Sequence, residues 1–256
     1  MKDKKSVGVT KTVVITGGSR GIGAATAKLF AKNDYRVCIV YKSNDEAARA
    51  TCDEIRLTGG NAFIIKADVA NENEVVQLFQ TLDEQLPQID VLINNVGVLQ
   101  AQCRLTELTA ERINHILTTN VTSYFLCCRE AVKRMSTALS GRGGTIVNVS
   151  SGAAKTGSPN EYTDYAASKG AIDTLTKGLA MEVAQEGIRV NGVRPGLIYT
   201  DMHADGGEPN RVNRLKDKLP LQRGGSPEEV ANAIYYLANE DSSFTTGSML
   251  DVAGGL

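Results

Sequence analysis

The sequence predicts an α/β fold, a doubly wound, seven-stranded parallel sheet flanked by helices on both faces. Three observations predict it. Seven short apolar or β-branched runs occur, at residues 12–16, 36–41, 62–66, 90–94, 145–149, 188–193 and 249–252. Between them lie stretches with apolar residues at helical period, such as 24–31, 75–86 and 171–183. The regular alternation of the two is the pattern of βαβ units, which build a parallel sheet buried on both faces through right-handed crossovers.

The elements justify themselves in order. Lys2, Lys4 and Lys5 precede no apolar stretch of signal-peptide length, so residues 1–10 read as a flexible tail and 13–15 as part of a buried strand. Asn71 with Glu74, and Ser226 with Pro227 and Glu229, read as capping-box helix starts. Gly59-Gly60 and Gly206-Gly207 punctuate helix ends or loops. With no internal repeat and no low-complexity linker, residues 1–256 read as one domain. The irregular stretch 201–223 follows the sixth strand, where ligands bind in such sheets. It reads either as a substrate lid or as an ordinary mobile loop.

Composition narrows the function classes. A chain of 256 residues, 42% hydrophobic, carries a net charge of -1, which implies no polyanion partner and no nucleic acid. No apolar run reaches 18 residues, so no membrane span is expected, and a cytoplasmic location is the default reading. Cys38, Cys52, Cys103, Cys127 and Cys128 are odd in number and lack CxxC spacing, which favours reduced thiols. Cys127 and Cys128 read as core or interface residues. His115 and His203 belong to no metal-binding pattern, and no metal is expected. His115 reads as structural. His203 reads as an exposed loop residue or as a neighbour of the substrate.

Thr16-Gly17-Gly18-Ser19-Arg20-Gly21-Ile22-Gly23 joins the first strand to the first helix. Its glycines permit a tight turn and close approach of the backbone to a ligand, and the helix start offers free N–H groups to a pyrophosphate. A packing turn would look the same in isolation. Tyr165 and Lys169 stand four apart, on one face of a helix. A lone pair of this spacing is a common helix-surface feature, and Ser150-Ser151 after a strand is commonly a cap. The joint occurrence in order carries the meaning.

TGxxxGxG, Asn94-Asn95-Val96-Gly97, Asn120, Ser150-Ser151, Tyr165-Ala166-Ala167-Ser168-Lys169 and Arg194-Pro195-Gly196 together resemble the short-chain dehydrogenase/reductase family, over residues 11–255. The likeness runs toward bacterial glucose-1-dehydrogenase-like oxidoreductases. It implies a Rossmann fold, a nicotinamide cofactor and hydride transfer between that cofactor and a small-molecule carbonyl or alcohol substrate. It implies a homotetramer. It makes Tyr165 the general acid/base, Lys169 the group that lowers its pKa and binds the nicotinamide ribose, Ser151 the holder of the substrate oxygen, and Asn120 the group that orients a water and Lys169. A pKa near 7 for Tyr165 requires about 4 kcal/mol, roughly what an ammonium at about 4 Å supplies at an effective dielectric near 20. The Ser151–Tyr165 spacing of 14 is one longer than in many members, which places an extra residue in the 156–161 loop.

The same resemblance implies cofactor contacts from Gly17, Ser19, Arg20, Gly21, Ile22 and Gly23, from Tyr41, Lys42 and Ser43, and from Asn94, Val96 and Gly97. Asp68 and Val69 would meet the adenine, although Asp68 reads equally as a helix cap. Pro195, Gly196, Ile198 and Thr200 would fix the carboxamide, with Tyr165 and Lys169 at the ribose. The second strand ends Val40-Tyr41-Lys42-Ser43-Asn44 with no acid where NAD-preferring proteins place one. Arg20 and Lys42 suit a 2′-phosphate, so NADP(H) is favoured over NAD(H). Asp45 and Glu46 follow closely, and a small register shift would restore NAD(H). Val98, Gln100, Tyr162 and His203 would shape the substrate pocket. A methyltransferase on a similar sheet would have no use for YxxxK, and a nucleotide sensor without turnover would not need Tyr165. An NAD-linked sugar or alcohol dehydrogenase is the second enzymatic reading.

Overall fold

The structure, a computed structural model, describes residues 10–256. The expectation for a tail over 1–10 thus falls, Thr10 apart, outside the described residues. Seven strands form one sheet: β1 (Thr12–Thr16), β2 (Arg36–Tyr41), β3 (Asn61–Lys66), β4 (Val91–Asn94), β5 (Gly144–Val149), β6 (Ile188–Pro195) and β7 (Met249–Val252). All pair in parallel, in the order β3-β2-β1-β4-β5-β6-β7. The expected Rossmann architecture is therefore present. β6 runs two residues past its apolar stretch because Arg194 and Pro195 still register with Asp251 and Val252 of β7.

Among the described residues ten α-helices connect or cover the strands: α1 (Gly21–Lys32), α2 (Asp45–Leu57), α3 (Glu72–Gln85), α4 (Ala110–Leu117), α5 (Ser123–Met135), α6 (Ala153–Thr156), α7 (Thr163–Val183), α8 (Met202–Asp205), α9 (Arg211–Leu215) and α10 (Pro227–Ala238). Strand alternation divides the core into two layers. Val13 and Ile15 of β1 face α1, α2 and α10, packing with Phe30, Ile55, Val230 and Ile234. Val14, between them, faces the other layer with Phe79 and Leu82 of α3, Cys127 and Ala131 of α5, and Val183 of α7. Each such aliphatic or aromatic side chain contributes about 1.5–3 kcal/mol by leaving water. Cys127 and Cys128 belong to this core, and all five cysteines are free thiols.

Caps fix where the helices begin. Ser226 accepts from the Glu229 backbone N–H while the Glu229 carboxylate accepts from Ser226 N, with Pro227 in the first turn. The expected reciprocal box at α3 is only half formed. Asn71 accepts from Asn73 N and Glu74 N, but Glu74 turns back to Asp68 N at 2.8 Å. That donor, at the end of β3, has no ladder partner and takes the carboxylate first. α1 differs from both, since its N-cap residue Arg20 makes no side-chain cap. Its first N–H groups are left to whatever lies in front of the glycine loop. No helix of the described residues is long and apolar enough to cross a membrane.

Candidate active site

The order of travel along the sheet reverses between β1 and β4, and two connected cavities open there at the C-terminal strand ends, as expected for an α/β sheet. One, of about 580 Å³, runs from the glycine loop across the ends of β2 and β3. The other, of about 350 Å³, lies over β5, β6 and the start of α7. Ile22, Asn95, Leu99, Thr200 and Met202 line both, so the two are one continuous cleft.

The larger cavity fits a dinucleotide by its backbone. Gly17 and Gly21 hold φ of +64° and +54°, the left-handed region that glycine adopts without strain. A Cβ on Gly23 would fall 2.2 Å from the Gly17 carbonyl oxygen. Gly23 is therefore a packing glycine that lets α1 seat against the loop, and it does not line the cavity. Gly17, Ser19, Arg20, Gly21 and Ile22 do line it, as do Tyr41, Lys42, Ser43, Asp68, Val69, Val96, Gly97 and Thr200. Asn94 departs from expectation. Its side chain is buried, and its amide donates to Asn148 Oδ1 at 3.0 Å and Cys128 Sγ at 3.2 Å. Strand alternation points it into the core and turns its neighbour Asn95 to the cleft. Asn95 Nδ2 donates to the carbonyls of Thr16 (3.2 Å) and Gly17 (3.0 Å) and holds the glycine loop against β4.

Charges at the adenosine end are already paired. Arg20 meets Asp205 of α8, and Lys42 Nζ lies 2.7 Å from Asp68 Oδ2. Asp68 Oδ1 also accepts from Ala70 N, while Asn71 is the cap of α3, so the helix-cap alternative for Asp68 does not hold. Asp45 opens α2 with its carboxylate on Lys66 Nζ (3.2 Å) and Tyr41, away from the cleft. His115, expected to be structural, is exposed and lines this cavity beside Thr119.

Tyr165, Lys169 and Ser151 converge on the smaller cavity, with Pro195, Gly196 and Ile198 beneath. β5 delivers the serine, and the first two turns of α7 present Tyr165 and Lys169 one above the other. Burial pushes the Tyr165 hydroxyl up to about 12, against the hydrogen bond from Ser151. Burial also brings Lys169 down to about 7, against Asp173. No direct hydrogen bond joins Lys169 to the Tyr165 hydroxyl. Lys169 Nζ stands 5.7 Å from the Tyr165 ring centroid and donates instead to Val149 O at 2.9 Å and to Tyr124 Oη at 3.4 Å. Desolvation therefore outweighs attraction in both groups.

Asn120 sits in a π-helical turn, Thr118–Thr122, between α4 and α5. Its Oδ1 accepts from Val98 N (2.8 Å), and its Nδ2 donates to Val98 O (3.1 Å) and Ser168 Oγ (3.2 Å). It pins the segment after β4 to α7 and makes no direct hydrogen bond to Lys169. Ser150 faces away from Tyr165, donating to Asp173 Oδ1 at 2.6 Å. Ser151 is thus the serine that meets the tyrosine.

Residues of the 201–223 segment line both cavities. Met202, His203, Arg211 and Leu215 line the smaller one, and Asp201 and Asp205 the larger. His203 is half-buried rather than an exposed loop residue, with Nε2 3.1 Å from Ile198 O. An ionic cluster around the buried Arg211 joins this segment to the 156–161 loop. Arg211 pairs with Glu161 and with Glu208 (3.0 Å), and its guanidinium lies 5.1 Å over the Tyr162 ring. Arg214 and Gln102 also meet Glu208. The opposite wall is the 156–161 loop, where Gly157, Ser158 and Asn160 all hold positive φ. Tyr124 and the Glu161–Arg211–Glu208 cluster carried no sequence motif, and Asn95 stood inside the Asn94-Asn95-Val96-Gly97 motif with no role assigned to it. Only the position of Tyr124, four after Asn120, hinted at a shared helix face.

Comparison with known proteins agrees with this geometry. A family model described as enoyl-(acyl carrier protein) reductase matches residues 17–256. The chain is 57% identical over 242 residues to the uncharacterized oxidoreductase YgfF of Escherichia coli strain K12, covering 94% of this chain and 98% of that one. It is 34% identical to the 3-oxoacyl-(acyl-carrier-protein) reductase FabG of Staphylococcus aureus strain Mu50, over 97% and 98% of the two chains. A crystal structure of a dehydrogenase/reductase from Sinorhizobium meliloti 1021 matches with a TM-score of 0.88 at 32% identity, over 96% and 95%. Sequence motifs, sheet order and near full-length likeness lead to one conclusion: the chain belongs to the short-chain dehydrogenase/reductase family and is an oxidoreductase of the NAD(P)-dependent kind.

Proposed function

We propose that this enzyme interconverts a small-molecule carbonyl and its alcohol with NADP(H), using Tyr165 as general acid/base. The observation that carries this reading is the meeting of Tyr165, Ser151 and Lys169 on the wall of a cavity continuous with the dinucleotide-shaped cleft. Bound nicotinamide supplies or accepts the hydride. Everything else falls to the chain. Ser151 donates a hydrogen bond to the substrate oxygen. In reduction Tyr165 gives its proton to that oxygen as the carbonyl carbon gains hydride, leaving a phenolate that is reprotonated afterwards. A phenol held at about 12 is protonated at neutral pH, which suits this direction. In oxidation the phenolate is required, and the Lys169 ammonium favours it.

The cavity wall supports a substrate with an apolar body, since Leu99, Val149, Tyr162, Leu197, Met202 and Leu215 surround the polar trio. This favours an aliphatic or aromatic carbonyl over a sugar. The absence of an acid among the residues of β2's end that line the cleft supports NADP(H) over NAD(H). We read residues 1–256 as one domain, 201–223 as its substrate lid, a homotetramer as the assembly, and the cytoplasm, with its nicotinamide pool and reducing conditions, as the location.

Tyr165→Phe tests the reading. Turnover should fall by about 10²–10⁴-fold, while the thermal midpoint and NADPH fluorescence on binding stay near wild type. A variant keeping more than half of wild-type kcat overturns the assignment.

A further inference from the structure

A buried ammonium needs acceptors to stay charged. Lys169 is 2% exposed, and among the described residues no carboxylate lies within ion-pair distance of it. Its acceptors are the Val149 carbonyl at 2.9 Å and the Tyr124 hydroxyl at 3.4 Å. Tyr124, on α5, is itself 1% exposed, and its hydroxyl lies 3.0 Å from Val96 O and 2.9 Å from Val149 O. A phenol has one proton, so it donates toward these carbonyls and turns a lone pair to the ammonium. One hydroxyl thereby ties the segment after β4, the end of β5 and the Lys169 head group together, beside the junction of the two cavities.

We propose that Tyr124 is a positioning residue for the redox reaction, holding the Lys169 side chain charged and in place so that Lys169 can favour the Tyr165 phenolate. The inference rests on the role proposed for Tyr165. The other groups facing Lys169 leave this part to Tyr124. From α7 come Tyr165 and, one turn on, Asp173, whose carboxylate is taken up by Ser150 (2.6 Å) and Arg194 of β6 (2.8 Å). From α5, Cys127 and Cys128 lie behind Tyr124, and burial pushes both thiols up, so they are neutral. The end of β5 offers the Val149 carbonyl. Burial holds Tyr124 itself well above the ordinary tyrosine value, so it does not titrate in the working range.

Removing the oxygen withdraws one acceptor from a buried cation and favours the neutral amine. A neutral Lys169 cannot stabilise the phenolate, so alcohol oxidation should need higher pH. The experiment compares kcat for oxidation between pH 6 and 10.5 in wild type and Tyr124→Phe, with thermal midpoint and NADPH binding measured alongside. The Phe variant should shift the alkaline midpoint of kcat upward by about 0.5–1 unit, which lowers kcat at pH 7 by about three- to tenfold and restores it above the midpoint. Cofactor affinity should change by less than about threefold, since Tyr124 does not line the cofactor cleft. Tyr124→Gln keeps an acceptor oxygen and should hold the midpoint within about 0.3 unit even if the lost ring lowers the melting temperature. An unmoved midpoint in the Phe variant, a loss independent of pH, or a Gln variant shifted as far as Phe overturns the proposal. Tyr165→Phe is assayed in parallel. If that variant keeps turnover, the proposed function fails; if it is inactive while the Tyr124→Phe profile is unmoved, only the present inference fails.

Discussion

Exchanging Arg20 and Lys42 for alanine should erase a preference for NADPH over NADH. Both cations line the adenosine end of the cleft beside Ser43. Both are exposed by about half or more, and each already holds a carboxylate, Asp205 for Arg20 and Asp68 for Lys42. A 2′-phosphate therefore replaces one partner with another. An exposed ion pair is worth about 0–1 kcal/mol. A hydrogen bond to a charged group is worth about 1.5–3 kcal/mol. The exchange gains roughly 1 kcal/mol per cation, and salt screening reduces the pair to about 1.4 kcal/mol or more, a factor of ten. The assay is the ratio of kcat/KM for NADPH over NADH at fixed ionic strength. Wild type should exceed about tenfold, and Arg20→Ala with Lys42→Ala should fall toward unity, chiefly through KM. Asp205→Asn frees Arg20 and should raise the ratio about two- to fivefold. A wild-type ratio below one, or a double variant that keeps the preference, refutes the reasoning.

Gly23→Ala should fail to bind NADPH by fluorescence and lose about 1–3 kcal/mol of stability, because the added carbon meets the Gly17 carbonyl at 2.2 Å; unchanged melting and binding would count against a packing role. Arg211→Met leaves Glu161 and Glu208 short of a partner, so substrate KM should rise by about three- to tenfold, with faster amide exchange over 201–223; unaltered exchange would show that the cluster does not fasten the cover. Glu208 is held down at about 2, first by Arg214. A depressed carboxylate stabilises above its ordinary value and loses that contribution as pH falls toward its folded value. Amide protection of the cover should therefore decline between about pH 4.5 and 2 in wild type, and less so in Glu208→Gln. Phe125 on α5 and Met181 on α7 are exposed, and light scattering should show an assembly that Phe125→Glu with Met181→Glu dissociates; a wild-type monomer of 27.3 kDa would exclude the homotetramer.

The strands were legible because parallel strands buried on both faces must be apolar throughout, and helices covering them must be apolar at one period. β1 and α1 show both patterns within residues 12–32. The junctions were legible where chemistry dictates residue type, as with Gly17, Gly21 and the Ser226 cap. Asn94 was misread because a motif names residue types while strand alternation decides which face each one takes. Asn95, one place on, holds the glycine loop. The α3 cap was misread because a carboxylate chooses among nearby donors, and Asp68 N was closer than the motif assumed. Tyr124 and the Arg211 cluster were illegible for a further reason. Their partners are far apart in the chain, and only the fold brings Val96, Val149 and Lys169, or Glu161 and Glu208, to one point.

That last distinction bears on how the site is tuned. Tyr165 and Lys169 are fixed by one helical turn, yet their separation in sequence says nothing about their protonation. In the folded chain burial moves them in opposite directions, the phenol up to about 12 and the ammonium down to about 7. Both shifts favour the neutral forms, so the pair alone is poised as acid and amine rather than as phenolate and ammonium. The acid/base cycling proposed for Tyr165 then depends on groups that stabilise charge from outside the pair. On the phenol that group is Ser151. On the ammonium the direct acceptors are the Val149 carbonyl and the Tyr124 hydroxyl, with Asp173 acting from one turn away. A positive charge brought by an oxidised cofactor would act in the same direction on the phenol. Two chains carrying the same YxxxK can therefore differ in working pH through residues the motif does not include.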